Sequence, residues 1–451
     1  MLKKLIRFFS NNKTEEQTSE PHTLSPGEHA IKPGDISKGA ATVVRVLEEK
    51  GFQAYVVGGC VRDLLLDLHP KDFDVATNAT PEEVKPLFRR ARIIGRRFRI
   101  VHVHIGREMV EVTTFRANHT EDDGRGALRS DEGRLLRDNT YGDITEDASR
   151  RDFTINALYY HPGDNTLFDY ANGLRDIEKR QLRVIGDPET RFREDPVRML
   201  RAVRFAAKLG FAIEPDTARA IHQLAPLLAD IPPARLFDEF LKLFLSGHGL
   251  ATFNLLRQYG LFASLFPQTE PHLEDQEGFA LHFVEQALIN TDQRIRTNKR
   301  VTPAFLLAAL LWPPVEERRR ELEAGGEPPP IALNKAAGKI ISVQVGRIAI
   351  PRRFSQPMRE IWELQLRLPK RHGKRAEHLV SLPRFRAGYD FVLLREQAGE
   401  NLDDLGLWWT RYQEADEEKR QAMVRELGGN GGRKKRRRRP RKKPAGDTQT
   451  Q

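Results

Sequence analysis

Cysteine is almost missing from this chain: a single one, Cys60, stands among 451 residues. One thiol cannot build an intrachain disulfide framework or a Cys-rich zinc site, so a disulfide-stapled secreted domain and a zinc ribbon are both excluded. A reducing, cytoplasmic compartment fits. Long apolar runs are lacking too. None approaches the roughly 20 residues that span a bilayer, and Met1–Ser10 (MLKKLIRFFS) has too short an apolar stretch for a secretory signal. There Leu2, Leu5, Ile6 and Phe9 share one helical face, the pattern of a short interfacial helix. Isolated helices this short are costly, which favours a floppy end and leaves loose membrane association as the alternative.

Acidic residues are scarce in one place, the carboxyl end. The chain carries a formal charge of +11, but Arg433–Lys443 (RKKRRRRPRKK) holds ten bases and residues 428–451 contain one acid, Asp447. The arm therefore has a charge of +9 and the remaining 427 residues only +2. The ten bases are Arg433, Lys434, Lys435, Arg436, Arg437, Arg438, Arg439, Arg441, Lys442 and Lys443. A block of like charge cannot bury itself and stays solvated as a tail that contacts polyanions, nucleic acid first among them.

The length suits about three domains, and a hydrophobic fraction of 39% supplies a sizeable core. Residues 11–35 are polar and rich in Pro, Ser and Thr, and 1–35 as a whole reads as a disordered leader. The short β-rich runs AYVV, DFDVA, RIVHVHI and MVEVTTF, with helices between them, predict a mixed α+β head over 36–160. Thr80-Pro81-Glu82-Glu83 is a helix start, with Thr as N-cap, Pro at the first helical position and Glu three residues past the cap. Helical periodicity then dominates, giving a neck over 161–267 expected to carry base- and RNA-binding helices, a C-terminal helical domain over 268–427 expected to bind RNA, and a disordered arginine-rich tail over 428–451. Trp312-Pro313-Pro314 and Gly325–Pro330 read as loops inside the C-terminal half.

Gly58-Gly59 follows the strand AYVV and precedes a helix, a turn that lets backbone N–H groups approach a phosphate; a plain sharp corner is an equally common reading. Arg62, in the first helical turn, could add a guanidinium to the same anion. Asp72-Phe73-Asp74 projects two carboxylates from one strand face while Phe73 points into the core. Carboxylates so placed repel each other unless a cation lies between them, and hard oxygen ligands suit Mg²⁺. Two metals about 4 Å apart are what in-line nucleotidyl transfer uses. Glu111, in an adjacent strand-like run, is costly to bury alone and so suits a shared metal site. Arg151 and Asp152 precede another apolar run, where the bland reading is a surface salt bridge. Glu194-Asp195-Pro196 opens a helix on which Arg198, Arg201, Arg204 and Lys208 form a basic stripe. Beside acids at the helix start, such a stripe can offer hydrogen bonds of both polarities to a base edge. His102 and His104 alternate on one strand, but no third spaced ligand accompanies them and zinc is set aside. Cys60 reads as a packed thiol.

Taken in order, Gly58–Asp63, Lys71–Asp74, Glu111–Arg116, Arg151–Ala157, Asp169–Asp176 and Glu194–Arg201 resemble the class II template-independent nucleotidyltransferases, which comprise bacterial poly(A) polymerases and CCA-adding tRNA nucleotidyltransferases. The resemblance covers roughly residues 50 to 265. Ile93–Val103, Arg235–Pro267 and the arginine-rich tail are similar to the poly(A) polymerase branch, and no His-Asp phosphohydrolase motif appears. The resemblance implies an Mg²⁺-dependent enzyme that adds AMP from ATP to single-stranded RNA 3′ ends. Asp72 and Asp74 would be metal ligands of a two-metal site, with either Glu111 or Asp152 completing the catalytic acids. Gly58, Gly59, Arg62 and Arg151 would hold the triphosphate, and Glu194, Asp195, Arg198 and Arg201 would read the base. RNA-decay or RNA-chaperone proteins are the further partners it suggests. The alternatives are a CCA-adding enzyme and, from another class, a non-catalytic RNA-binding protein on a degenerate polymerase scaffold.

Overall fold

The computed structural model describes residues 20–95, 99–117, 128–129, 135–137 and 140–429. The basic run 433–443 and the opening ten residues lie outside these. Two compact units emerge. The first holds the described residues through Pro271 with Leu288–Val301 and Ser342–Ile350; the second holds His272–Ala287, Thr302–Ile341 and the described residues from Pro351 on.

The strands of the first unit are β1 (His22–Leu24), β2 (Ala54–Val57), β3 (Asp74–Thr77), β4 (Ala91–Ile94), β5 (Ile100–Ile105), β6 (Glu108–Thr114), the short pair β7 (Leu128–Arg129) and β8 (Leu135–Arg137), β9 (Leu158–His161), β10 (Thr166–Asp169), β11 (Gln181–Leu182) and β12 (Ala212–Ile213). Eight of them make one sheet in the order β1-β10-β9-β2-β3-β6-β5-β4. Its pairings are antiparallel except β3 with β6, which run parallel and need the intervening crossover. Strand alternation divides the core. Val56, Val75, Leu158 and Tyr160 face one side, whereas Val57, Ala76 and Tyr159 face the other.

The helices of this unit are α1 (Lys38–Glu48), α2 (Gly59–Leu65), α3 (Pro81–Leu87), α4 (Ile144–Ser149), α5 (Gly173–Glu178), α6 (Pro188–Glu194), α7 (Val197–Leu209), α8 (Pro215–Leu224), α9 (Pro233–Phe244), α10 (Gly249–Gln258) and α11 (Leu261–Leu265). α1 packs Val43, Val44 and Leu47 onto the first sheet face, and its Ser37 cap accepts from the Ala40 N–H at 3.1 Å. α3 starts as its sequence predicts: Thr80 Oγ1 accepts from Glu83 N, and Glu83 Oε2 accepts from Thr80 N at 2.8 Å. The second unit has no strand among its described residues. It is built from α13 (Pro303–Leu310), α14 (Trp312–Ala324), α16 (Arg352–Arg367), α17 (Arg375–Val380), α18 (Phe385–Gln397), α19 (Leu405–Glu414) and α20 (Glu417–Gly429), with parts of α12 (Phe279–Arg296) and α15 (Pro329–Arg347).

Three expectations need correction. The polar leader is not structureless throughout, since His22–Leu24 forms β1, the edge strand beside β10. Ladder hydrogen bonds there need no hydrophobic periodicity, so the sequence pattern gave no sign of them. The head does not stop at 160, because the hairpin of β9 and β10 carries the sheet to Asp169. Trp312-Pro313-Pro314 is no loop but the first turn of α14, where prolines stand at positions whose N–H groups have no helical acceptor.

Candidate active site

β3 places Asp74 between its register partners Val57 on β2 and Glu111 on β6. Phe73 is 8% exposed and belongs to the core, while Asp72 lies exposed just before the strand. Burial, then repulsion from Glu111, push the Asp74 carboxyl up to about 6; Arg151 draws it down and Asp72 adds a further upward push. Both neighbouring carboxylates thus act on Asp74, which is held reluctantly charged. That is the donor chemistry a divalent cation relieves. Among the described residues no three His, Cys, Asp or Glu side chains close into a ligand set, but Mg²⁺ needs only one or two carboxylates beside water and substrate phosphate oxygens. His102, the register partner of Glu111 on β5, brings Nε2 to 3.7 Å from Glu111 Oε2.

Asp152 keeps different company. Arg201 on α7 donates to Asp152 Oδ2 through Nε at 2.8 Å and Nη2 at 2.5 Å, and Asn156 Nδ2 donates to Oδ1 at 3.0 Å. Burial alone would raise its pKa, but Arg201 and Asn156 hold it at about 2. The expected surface salt bridge is a largely buried one that joins the head to α7.

The glycine turn is backed by two cations from inside the protein. Gly58 has φ +81°, a region that favours glycine. A Cβ there would stand 3.3 Å from Arg151 Nη1, and one on Gly59 would stand 3.5 Å from Arg62 Nη2. Arg62 is 2% exposed and held from inside: Nε and Nη2 donate to Asp63 Oδ1 at 2.9 and 2.6 Å, and Nη1 to Asn156 Oδ1 at 2.6 Å. Arg151 donates to the Tyr159 hydroxyl at 2.9 Å and to Asp147 Oδ2 at 3.0 Å. Burial opposes its charge, yet Tyr159 and Asp147 hold its pKa above the ordinary value. Cys60 is buried too, its thiol donating to Val57 O at 3.3 Å, and burial pushes it up to about 12, as suits a packed thiol.

Glu194 ends α6, and Pro196 caps α7. Glu194 Oε2 accepts from Arg191 at 2.8 Å and Arg198 at 3.0 Å, while Arg235 on α9 donates to Asp195 Oδ2 at 2.7 Å. The predicted basic stripe is not uniformly solvated: Arg201 serves Asp152, and Lys208 Nζ lies 3.3 Å from Asp63 Oδ2.

Sequence reasoning missed several participants. Arg191 donates to the carbonyls of Arg150 and Arg151 at 2.6 and 2.9 Å, bracing the segment that carries Asp152. Arg62, Arg201 and Arg204 all approach the Phe205 ring, at 5.2, 5.4 and 4.7 Å from its centroid. Arg204 Nε is buried without a hydrogen-bond partner, and burial followed by the Arg201 charge lowers its pKa. Arg150 is pushed down to about 9 by burial and then by Arg116, Arg191 and Arg198. These groups stay protonated at neutral pH, and the mutual crowding of their charges adds to the cost of burying them. Only their number in this stretch of sequence hinted at it.

Residues 54–183 match the family model described as "Poly A polymerase head domain", 210–273 match "Probable RNA and SrmB- binding site of polymerase A", and 325–443 match "Polymerase A arginine-rich C-terminus". The chain is 47% identical over 422 residues to the poly(A) polymerase I of Haemophilus influenzae, across 92% of this chain and 93% of that one. This chain belongs to the poly(A) polymerase family. Likeness to the CCA-adding enzyme of Lactobacillus helveticus, 42% over 221 residues, covers only 49% of the polymerase chain and 53% of the relative. A solved CCA-adding enzyme, "apo form II", shares the fold of the polymerase at a TM-score of 0.58 with 20% identity, over 84% of each chain.

Proposed function

We propose that this polymerase transfers AMP from ATP to RNA 3′ ends without a template and releases pyrophosphate. Support comes from near full-length likeness to poly(A) polymerase I and, above all, from Asp74, which β3 and β6 set in register with Glu111 just after Asp72 and whose carboxyl burial and then Glu111 push up to about 6. Asp72 and Asp74 would hold Mg²⁺, with Glu111 rather than Asp152 as the third acid, because Asp152 is spent on Arg201. When bound, the metal neutralises charge on the α-phosphate and eases deprotonation of the primer hydroxyl. The primer 3′-oxygen attacks the α-phosphorus, and the bond to the β-phosphate bridge oxygen breaks.

The chain's own residues position the reactants. Backbone N–H groups of the Gly58-Gly59 turn face the triphosphate, with Arg62 and Arg151 supplying positive potential from behind and Arg204 an unspent guanidinium. Asp195 accepts from the exocyclic amine of adenine while Arg198, steadied by Glu194, donates to a ring nitrogen. Arg201 is a positioning residue here, acting through Asp152.

Nucleotide choice tests the reading. ATP and CTP are supplied singly with an unstructured RNA and with a tRNA lacking its terminus. Long A tails on the unstructured RNA are expected; CTP-dependent addition to the tRNA would instead assign a CCA-adding enzyme.

The run 433–443 would hold RNA through phosphate contacts regardless of sequence. Full engagement of its ten bases would contribute about −7 to the log–log salt slope for single strands. Removing the run is expected to weaken RNA affinity far more than it changes turnover at saturating primer, and unchanged affinity contradicts this role. RNA-decay or RNA-chaperone proteins fit the same reading as recruiting partners.

A further inference from the structure

Between α16 and α17, with its flanks, the chain reads Arg367-Leu368-Pro369-Lys370-Arg371-His372-Gly373-Lys374-Arg375. It carries five full positive charges and no carboxylate. Arg367, Lys370, His372, Lys374 and Arg375 are exposed, and among the described residues none of them forms an ion pair. Other cations of the same unit do find carboxylates: Arg384 meets Glu360 at 3.1 Å, Arg386 meets Asp390 at 3.0 Å, Arg395 meets Glu400 at 2.6 Å and Lys419 meets Asp416 at 2.9 Å. A cluster of unpaired like charges repels itself and costs stability unless an outside anion meets it.

The loop is also held still. Trp409 Nε1 donates to Leu368 O at 3.2 Å. The Arg371 guanidinium lies over the Trp408 ring, 5.1 Å from its centroid. Trp408 in turn stacks on Tyr412, with centroids 4.9 Å apart at 15°. Arg420 closes the pile over Tyr412 at 5.3 Å, fixed by its donations to the Tyr412 and Gln413 carbonyls at 2.9 and 3.0 Å. The result is a four-layer stack, Arg371/Trp408/Tyr412/Arg420, that takes rotamer freedom from Arg371 before any ligand arrives. Arg371 Nε is buried and has no hydrogen-bond partner. Carboxylates also act on this patch, Asp403 on Arg371 and Glu377 on Tyr412.

We propose that this loop is a phosphate-binding surface for single-stranded RNA, a second anchor besides the terminal run 433–443. The inference rests on the polyadenylation reading for its choice of polyanion. Its chemistry is sequence-independent: Lys370, Lys374 and Arg375 supply point charges, and the preorganised Arg371 fork can grip a phosphate with two donors. A protein partner fits less well, since the loop exposes cations instead of apolar anchors and the aromatic faces are covered by each other and by arginine.

The test uses the full chain carrying Lys370→Gln, Arg371→Gln, Lys374→Gln and Arg375→Gln together, with circular dichroism to show that it folds. Its affinity for a 20-nucleotide oligo(A) is read by fluorescence anisotropy across a salt series. Affinity near 0.1 M salt is expected to fall about tenfold, and the salt slope to shrink in magnitude by roughly 3, with turnover at saturating primer within about twofold of wild type. A control variant, Lys38→Gln, Lys50→Gln, Lys85→Gln and Arg89→Gln, removes the same charge from the head and is expected to leave the slope nearly unchanged. Arg371→Lys keeps charge but not the planar fork, and is expected to lose part of the affinity. An unchanged slope in the loop variant, an equal loss in the control, or loss of polyglutamate binding with RNA binding intact each overturns the proposal. Absence of A-tail synthesis by wild type would sink the polyadenylation reading while leaving this binding measurement interpretable.

Discussion

Replacing Asp74 by Asn is expected to leave a folded, RNA-binding protein whose turnover falls by about a thousandfold or more. The substitution keeps the shape of the side chain and removes the charge that Glu111 and Asp72 crowd against. Metal-borne charge stabilisation is worth several kcal/mol of barrier, and each 1.4 kcal/mol or so is a factor of ten in rate. Single-turnover AMP incorporation at saturating ATP and primer measures it, beside an RNA-binding isotherm that should hardly move. Near-normal turnover would remove Asp74 from the metal site. Glu111→Gln is expected to follow Asp74→Asn in kind; Asp152→Asn, whose residue serves Arg201, should lose stability along with activity.

The second large effect falls on stability. Arg201→Met strands Asp152, which is 12% exposed, without its cation. Removing one partner of a buried pair costs about 3–5 kcal/mol, and because Arg201 is itself 34% exposed the expected loss is reduced to roughly 2–4 kcal/mol. The sign with pH follows from the Asp152 carboxyl, held at about 2 by Arg201 and Asn156 against its burial. An unfolded Asp titrates near 3.9, so the unfolded chain takes up the proton first on acidification. The pair's contribution is complete above about pH 4 and disappears between about pH 4 and 2. Urea melts of wild type and Arg201→Met should therefore differ most near neutrality and converge in acid. A gap independent of pH would show that Arg201 stabilises by packing on Phe205 instead. Adding Asp152→Asn to the variant should recover part of the loss, since no buried charge then remains unpaired.

How much of this was legible beforehand follows from the range of the interactions. Local chemistry was readable: the Thr80 capping box, the alternation that sends Phe73 inward and Asp72 and Asp74 outward, and the helix opened by Pro196. The different company of Asp152 and Asp74 was not, because it depends on which arginine reaches Asp152, and Arg201 comes from α7, far along the chain. The partners that hold Arg62 were not readable either, because the sequence cannot display Asn156 beside it. Proline misled at Trp312-Pro313-Pro314, where the same residue type that ends helices begins one. In the second unit no motif signalled the Arg371 stack, since its layers are drawn from three separate stretches.

The edge strand β1 has a consequence for how the protein is made. His22–Leu24 emerges early in synthesis, yet its partner β10 is Thr166–Asp169. Until that hairpin has left the ribosome the amino-terminal segment has nothing to pair with, and the margin of the nascent sheet stays open to other extended chains. Docking of β1 closes that margin only once β10 is in place, so the order in which the chain is made sets the order in which the sheet is finished.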